Sequence, residues 1–467
     1  MGKYKYLIKN VGLLTLSNFA TKLLSFFLVP LYTNILTTGE YGTYDLFNTT
    51  IGVLLPILTL NIQDATIRFA LDKKYKRDSI VTISFRYLFL SNLVVAILLF
   101  VLNILKISPT ISKYGIFFFL MFFVQSVTGI VTNYTRGIDK IADLSVTSVI
   151  CSTVTISLNV IFLVVFKWRL IGYFLANIIG PLVQCIILMF KEHMFNNFHV
   201  LKGYSNEHRE MITYSIPLIA NSLAWWVNNA SDRYVVVFFC GIAANGIYSV
   251  ASKIPSILNV FQTIFGQAWS LSAVRDFDPK DEGGFFANTY KAYNCVLTII
   301  CSLIILSDKI LAKYLYAKNF FAAWVYVPWL TMAILFGALA GYIGGFFTAV
   351  KDSKAYANST IVGAIINIAL NLLFTPIIGP LGAAIATTIS FAIVWMVRYV
   401  QSKKYIKINI NIKRDIISYL LLILQSIILM LLKNNAYLYI SEIIVFIVLL
   451  LLYLKDISLI FYKIAHK

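Results

Sequence analysis

Charge is scarce in this chain. Asp, Glu, Lys and Arg supply only 13% of its 467 residues, and the acids are the scarcer sign, 20 against 39 Lys and Arg. Soluble domains carry about a quarter charged residues, so this proportion excludes an ordinary water-soluble globule. Histidine and cysteine are few as well, four and five. His193, His199, His208 and His466 fall in loops or the tail without an H-E-x-x-H spacing, and Cys151, Cys185, Cys240, Cys295 and Cys301 show no C-x-x-C spacing. Neither a metal centre, a cofactor site nor a disulfide framework is implied. Stretches between the apolar runs are short, which leaves no room for a catalytic or nucleotide-binding domain, and no enzyme is expected. The Asp276-Phe277-Asp278 pattern of a sugar-nucleotide site therefore reads as a solvated loop.

What fills the chain is apolar, 59% of residues at a mean hydropathy of +0.81. Such a chain needs lipid as its solvent. Apolar windows near the roughly 20 residues that cross a hydrocarbon core recur along its length. They predict an all-α polytopic membrane protein of about fourteen spans, over residues 11–36, 41–71, 80–105, 114–135, 142–166, 170–190, 212–239, 246–271, 287–306, 320–350, 355–374, 380–400, 416–432 and 436–454. The windows are too long and too uniformly apolar for barrel strands. Lys3, Lys5 and Lys9 precede the first run, which exceeds a signal-peptide core and carries Asn18, Lys22 and Asn34, so it is read as a spanning helix.

Most of the 39 basic residues fall in the N-terminal arm, the loops after even-numbered spans and the C-terminal tail. The opposite loops hold Lys106, Lys113, Lys167, Arg169, Lys309, Lys313, Lys318 and Lys433. This bias places both termini in the cytoplasm, in a cell membrane. The net charge of +19 is thereby a topology signal directed at anionic lipid headgroups, and no nucleic-acid partner is expected.

With Lys291 and Arg398, near the ends of their windows, counted with the adjoining loops, five cations remain inside the spans: Lys22, Arg68, Arg86, Arg233 and Lys253. Each costs about 3 kcal/mol at the centre of a lipid-facing helix, so they must snorkel or face a wet interior. Polar residues accompany them at helical spacing. Span 1 aligns Thr15, Asn18, Lys22 and Ser25; span 7 aligns Asn221, Trp225, Asn228 and Asp232 beside Arg233; span 8 aligns Ser249, Lys253, Ser256, Thr263 and Gln267. Polar groups alone glue membrane helices together, whereas a stripe that includes a charge lines a pathway. At successive depths the five cations form a ladder suited to an anionic substrate group. Asp64 and Asp232 are the acids nearest it. For Asp64 an intrahelical pair with Arg68 competes with ion coupling.

The two halves resemble each other. Gly42-Thr43-Tyr44 corresponds to Gly246-Ile247-Tyr248, Leu158-Asn159-Val160-Ile161-Phe162 to Leu370-Asn371-Leu372-Leu373-Phe374, and Leu170-Ile171-Gly172 to Pro380-Leu381-Gly382. The expected organisation is a six-helix lobe over 1–190, a cytoplasmic linker over 191–211, a second six-helix lobe over 212–400, and a basic loop with a trailing helix pair over 401–467. Lobes of six helices share one orientation, which predicts a cavity between them. Pro30, Pro56, Pro217 and Pro255 are candidate bend points.

With Thr33-Asn34-Ile35-Leu36, Glu40-Tyr41-Gly42, Ser231-Asp232-Arg233-Tyr234, Asn245-Gly246-Ile247-Tyr248-Ser249 and Gln267-Ala268-Trp269 in this order, the chain resembles the multidrug/oligosaccharidyl-lipid/polysaccharide (MOP) exporter superfamily. More narrowly it resembles the polysaccharide-transporter branch, the flippases for O-antigen, capsule and related lipid-linked oligosaccharides. The resemblance implies a MATE-like fold and a polyprenyl-pyrophosphate-linked oligosaccharide moved to the outer leaflet by alternating access. Lys22, Arg68, Arg86, Arg233 and Lys253 would then receive the pyrophosphate. Asn18, Asn221, Trp225, Trp226, Asn228, Asp232 and Tyr248 would meet sugars, and Asp64 and Asp232 would be the ion-coupling candidates. Glycosyltransferases and a glycan polymerase would be its partners. A peptidoglycan-precursor flippase, an ion-coupled drug exporter of the same superfamily, and a polytopic glycan polymerase or glycosyltransferase stay open as alternatives.

Overall fold

The computed structural model describes residues 26–72, 74–106, 109–199, 203–275, 277–433 and 435–458. Helices account for the ordered architecture, and no strand occurs among the described residues. Nine of the described helices are long and apolar enough to cross a membrane, or ten with one bent pair counted as a single span. The chain is a multi-pass membrane protein. It divides into two units, Met1–Ala230 and Ser231–Lys467.

The first unit contains α1 (Val29–Ile35), α2 (Thr38–Leu58), α3 (Ile62–Ala70), α4 (Arg77–Ile104), α5 (Pro109–Gly137), α6 (Ile141–Val160), α7 (Arg169–Lys191) and the larger part of α8 (Ser205–Cys240). A capping box opens α2: Glu40 N–H donates to Thr37 Oγ1 at 3.2 Å, and Thr37 N–H to Glu40 Oε2 at 2.8 Å. The same carboxylate accepts from Arg169 Nη2 at 3.0 Å, tying the start of α2 to the start of α7. Span 2 is not one straight helix. Pro56 lacks the N–H that would continue the ladder, Leu60 and Asn61 adopt left-handed φ of 51° and 52°, and α2 meets α3 at 63°. Two apolar clusters fill this unit. Phe47, Phe118, Phe122 and Phe174 form one, and Ile62, Phe69, Ile83, Val131 and Tyr134 the other.

The second unit continues with α9 (Ile242–Ala251), α10 (Ser256–Arg275), α11 (Phe285–Leu315), α12 (Val327–Ala349), α13 (Ser353–Ile378), α14 (Pro380–Ser402), α15 (Ile412–Leu431) and α16 (Ala436–Leu452). A 3₁₀ segment, Lys318–Val325, joins α11 to α12. Span 8 is likewise interrupted, by the turn Ser252–Pro255. Pro56 and Pro255 thus lie at breaks, while Pro217 sits inside α8 and Pro30 in the first turn of α1. The central element is α12, buried over 78% of its apolar window and packed on α10, α11 and α14. Trp269 stacks on Tyr342 with centroids 4.0 Å apart and donates Nε1–H to its carbonyl at 2.8 Å. That contact gives the Trp of the Gln267-Ala268-Trp269 motif a packing role.

The sequence repeat has a structural counterpart. Gly42 and Gly246 each sit in the second turn of a helix, α2 beginning at Thr38 and α9 at Ile242. Asn159 and Asn371 are both buried and both donate Nδ2–H to the carbonyl four residues back, at 2.9 Å in each case. A Cβ on Gly172 would stand 2.8 Å from Phe162 Cβ, and one on Gly382 would stand 2.5 Å from the Phe374 carbonyl. Phe162 and Phe374 are themselves equivalent in the repeat. The two hairpins reach this contact through different turns: α6 ends in a π-helical segment, Ile161–Val165, with Lys167 and Arg169 at positive φ, whereas α13 turns directly at Gly379, φ 65°. The wider π turn absorbs the extra residues between phenylalanine and glycine in the first hairpin.

Candidate functional site

The polar stripe expected on span 7 is most developed where α8 carries Asp232 and Arg233. Asp232 is buried, 6% exposed, and its Oδ2 accepts from Tyr248 Oη of α9 at 2.5 Å. Its Oδ1 accepts from the Arg233 backbone N–H at 2.9 Å, and the Arg233 guanidinium lies 3.6 Å away. The Thr387 side chain of α14 lies beside Tyr248. Thr387 Oγ1 accepts from Asn367 Nδ2 at 3.2 Å, and Asn367 Oδ1 from Asn371 Nδ2 at 3.2 Å. Within the second unit, the Asp232 end of α8 together with α9, α13 and α14 thus forms one buried polar network of a carboxylate, a phenol, a hydroxyl and two amides. Such a network fixes the carboxylate in one geometry, and breaking one member leaves the others unsatisfied in a medium of low dielectric.

The remaining expected residues are dispersed. Lys253 sits half-buried in the turn Ser252–Pro255, so the span 8 stripe is not carried by one helix. Arg68 closes α3 and lies 4.0 Å from Asp72, while Asp64 Oδ2 accepts from Asn61 Nδ2 at 2.8 Å. The intrahelical Asp64–Arg68 pair is therefore replaced by two local contacts, because the left-handed Asn61 brings its amide over the first turn of α3. Arg86 is half-buried on α4, where its charge acts on Tyr204. Asn221 and Trp225 are exposed, and the buried Asn228 donates to the Ala224 carbonyl at 2.9 Å. Trp226 donates to the Thr49 carbonyl at 2.9 Å and lies against Gly52, which makes it a packing residue. Lys22 and Asn18 lie outside the described residues. Two rungs of the cationic ladder, Arg68 and Arg233, carry an acidic neighbour.

Charge counting by loops misses several buried groups. Lys309, assigned to an outer loop, lies inside α11 at 9% exposure. Arg398, counted with the loop after span 12, is 4% exposed inside α14. Its guanidinium donates to Ser359 Oγ, Thr360 Oγ1 and the Ala340 carbonyl, each at 2.9 Å, and lies 4.2 Å over the Tyr356 ring. Asp308, Asp415 and Glu442 are fully buried acids that extend the short list of Asp64 and Asp232. The signal for Asp308, Arg398 and Asp415 was an ionisable residue at the edge of an apolar run, where loop and helix cannot be told apart, whereas Glu442 lies inside the fourteenth window itself. Outside the spans, Asp278 accepts from the backbone N–H groups of Glu282 and Lys280, which hold its carboxyl below the ordinary value. That is a local turn, and Asp276 lies outside the described residues. No group of three or more His, Cys, Asp or Glu suited to a metal occurs among the described residues.

The family model described as "Polysaccharide biosynthesis protein" matches residues 7–270, more than half of the chain. The chain belongs to the polysaccharide biosynthesis protein family. Among solved structures, this family member is similar to the lipid II flippase MurJ in an inward closed conformation, with a TM-score of 0.72 at 14% identity over 97% of this chain and 99% of that one. An inward-facing multidrug resistance MATE family transporter of the MOP superfamily follows at 0.66 and 13% identity, over 84% of this chain and 94% of that one. An outward-facing conformation of a multidrug resistance MATE family transporter matches at 0.57 and 12% identity, over 85% of this chain and 93% of that one. No curated protein sequence matches the chain. These likenesses establish a MurJ/MATE-like fold.

Proposed function

We propose that this polysaccharide biosynthesis protein is a flippase for an anionic polyprenyl-pyrophosphate-linked oligosaccharide, carried from the cytoplasmic to the outer leaflet of the cell membrane by alternating access. The observation that carries the reading is the family match over residues 7–270 on a chain that is almost wholly apolar helix with cations inside its spans. A pyrophosphate crossing a membrane needs positive charge at several depths to offset its lost hydration. Lys22, Arg68, Arg86, Arg233 and Lys253 are the proposed contacts for it. Asn18, Asn221, Trp225, Asn228, Asp232 and Tyr248 are proposed to meet the sugars, and Asp64 and Asp232 to couple an ion. Both termini face the cytoplasm in this reading. Glycosyltransferases supply the substrate, a glycan polymerase consumes it, and no protein nucleophile takes part.

A second reading has a specific observation in its favour. The similarity to a lipid II flippase extends over 97% of the chain, whereas the MATE transporter covers 84%. A peptidoglycan-precursor flippase is therefore the alternative, ahead of a drug exporter. Deleting the gene separates the two: the first reading expects lipid-linked oligosaccharide to accumulate on the cytoplasmic leaflet with surface glycan lost and viability kept, the second a block in cell-wall synthesis. Normal glycan display and normal growth would overturn both.

A further inference from the structure

One face of α11 carries a buried polar file that the proposed substrate path does not use. Asn294, Thr298, Ser302 and Asp308 are each 0% exposed, spaced along about 21 Å of helix at 1.5 Å per residue. They face α15 and the end of α16. Tyr419 Oη donates to Asn294 Oδ1 at 3.0 Å, Asn294 Nδ2 to Tyr453 Oη at 3.2 Å, and Tyr453 Oη to Asp415 Oδ1 at 3.4 Å. Thr298 Oγ1 donates to Asn294 Oδ1 at 3.3 Å. One turn further along, Ser302 Oγ donates to Gln425 Oε1 at 2.8 Å, and the Gln425 side chain is beside Glu442 of α16.

Each end of the file is an ion cluster that, among the described residues, is one positive charge short of neutrality. At one end Arg414 pairs with Asp415 at 3.0 Å and with Asp456. At the other, Lys309 sits among the charges of Asp308 and Glu442, donating to the last carbonyls of α15, Leu429 at 2.7 Å and Leu432 at 3.3 Å, over the Trp324 ring at 4.5 Å. These three are the charged groups that act on one another there. Both carboxylate oxygens of Asp308, 0% exposed, lack a hydrogen-bond partner among the described residues, and so does Asp415 Oδ2. Helix glue explains the Ser302–Gln425 and Tyr419–Asn294 pairs. It does not explain the buried cluster of Asp308, Glu442 and Lys309, or a fully buried Asp415 beside the partly exposed Arg414 and Asp456, each set carrying one negative charge in excess, which a low-dielectric interior penalises far more than a polar pair repays.

We propose that this file is a proton path, with Asp415 and the Asp308–Glu442 pair as its two loading ends, each taking up one proton. A proton arriving at one end forms one O–H bond on a carboxylate. Hydroxyls of Tyr453, Thr298 and Ser302 hand protons along while Asn294 and Gln425 orient them, with one water spanning the turn between Thr298 and Ser302 and a second carrying the proton from Ser302 past Gln425 to Glu442. One O–H bond breaks at the far end, and no electron or heavy atom moves. Use of this path to drive translocation rests on the flippase reading; the binding of protons does not.

Infrared spectroscopy of the full chain in lipid nanodiscs, in H₂O and D₂O, tests the proposal. The expected wild-type spectrum at neutral pH has deuterium-sensitive protonated-carboxyl bands. One is lost in Asp308→Asn or Glu442→Gln, another in Asp415→Asn. Ser302→Ala should keep both bands and slow their deuterium exchange. A wild-type spectrum without such bands, which needs no variant, overturns the proposal, as do bands that all three carboxylate variants leave unchanged. Bands abolished by added sodium would assign the clusters to that ion and equally overturn it, and unchanged exchange in Ser302→Ala would sink the connection between the ends. Bands that persist in a protein whose deletion leaves surface glycan normal would uphold the path and defeat the flippase reading alone.

Discussion

At the loop after α12, Asp352 caps α13 by accepting from the Ala355 N–H at 2.9 Å, and accepts a second hydrogen bond from Tyr405 Oη. The Tyr405 hydroxyl, followed by the Ala355 N–H, holds the Asp352 carboxyl below its ordinary value, and the carboxylate in turn raises the phenol. A depressed carboxyl stabilises the fold above its ordinary value and loses that contribution as pH falls through the folded one; a raised phenol loses its contribution as pH rises past its ordinary value. The contact therefore operates between about pH 4 and about pH 10. Thermal unfolding of Tyr405→Phe should lie below wild type across that window and converge with it in acid; an equal gap at acidic and neutral pH would refute this. Tyr248→Phe removes the donor from Asp232 Oδ2, a loss of about 1.5–3 kcal/mol for a bond to a charged group, readable as a lowered unfolding midpoint. Arg233→Ala should in addition abolish complementation of a deletion strain while folded protein persists in the membrane, and full activity would remove Arg233 from the substrate path. Residues at this scale were the hardest to read. Asp232 and Tyr248 stood out through charge and the repeat, but nothing in a single sequence brings Thr387, Asn367 or Arg398 to them or to their own partners. Such contacts depend on how α13 and α14 pack.

The hairpins α6–α7 and α13–α14 meet the same demand at the scale of elements, a helix pair so close that a methyl group does not fit. Adding one at Gly172 or Gly382 should cost about 1–3 kcal/mol from overpacking. Gly382→Ala should cost more, because its obstacle is the Phe374 backbone rather than the Phe162 side chain. Unfolding midpoints in detergent would check the order, and a milder effect at Gly382 would contradict the packing account. Helices were legible because their signal, a long apolar run, is local and strong. Breaks were legible only where proline marked them: Pro56 and Pro255 lie at the interruptions of spans 2 and 8, yet Pro217 leaves α8 unbroken. A proline removes an N–H from the ladder; at Pro56 the bend is completed by the left-handed Leu60 and Asn61, whereas Pro255 closes the turn Ser252–Pro255 with no positive-φ residue beside it.

For the whole molecule, composition and repeat carried the reading to an all-α polytopic protein of two six-helix lobes, and the ordered motifs carried the resemblance to the MOP exporters, in agreement with the MurJ/MATE-like fold and the polysaccharide biosynthesis protein family. The proposed activity is tested at this scale. Membranes from a deletion strain should hold lipid-linked oligosaccharide protected from an externally added glycosidase, and the wild-type gene should restore its exposure. Exposure without the gene would end the proposal. Among the cations, the loop count misplaced Lys309 and Arg398 because it assigns residues by distance from a window's end, whereas burial depends on which neighbours supply acceptors. The phenylalanine–glycine contact shared by the two hairpins also bears on how the chain was assembled. A duplicated segment drifts wherever drift is harmless, and here the connecting turns have drifted in both length and type while the contact they close has not. The turn is thus the expendable part of each hairpin, so residues inserted beside Lys167 or Gly379 offer a place for a reporter group that leaves the helix pair intact.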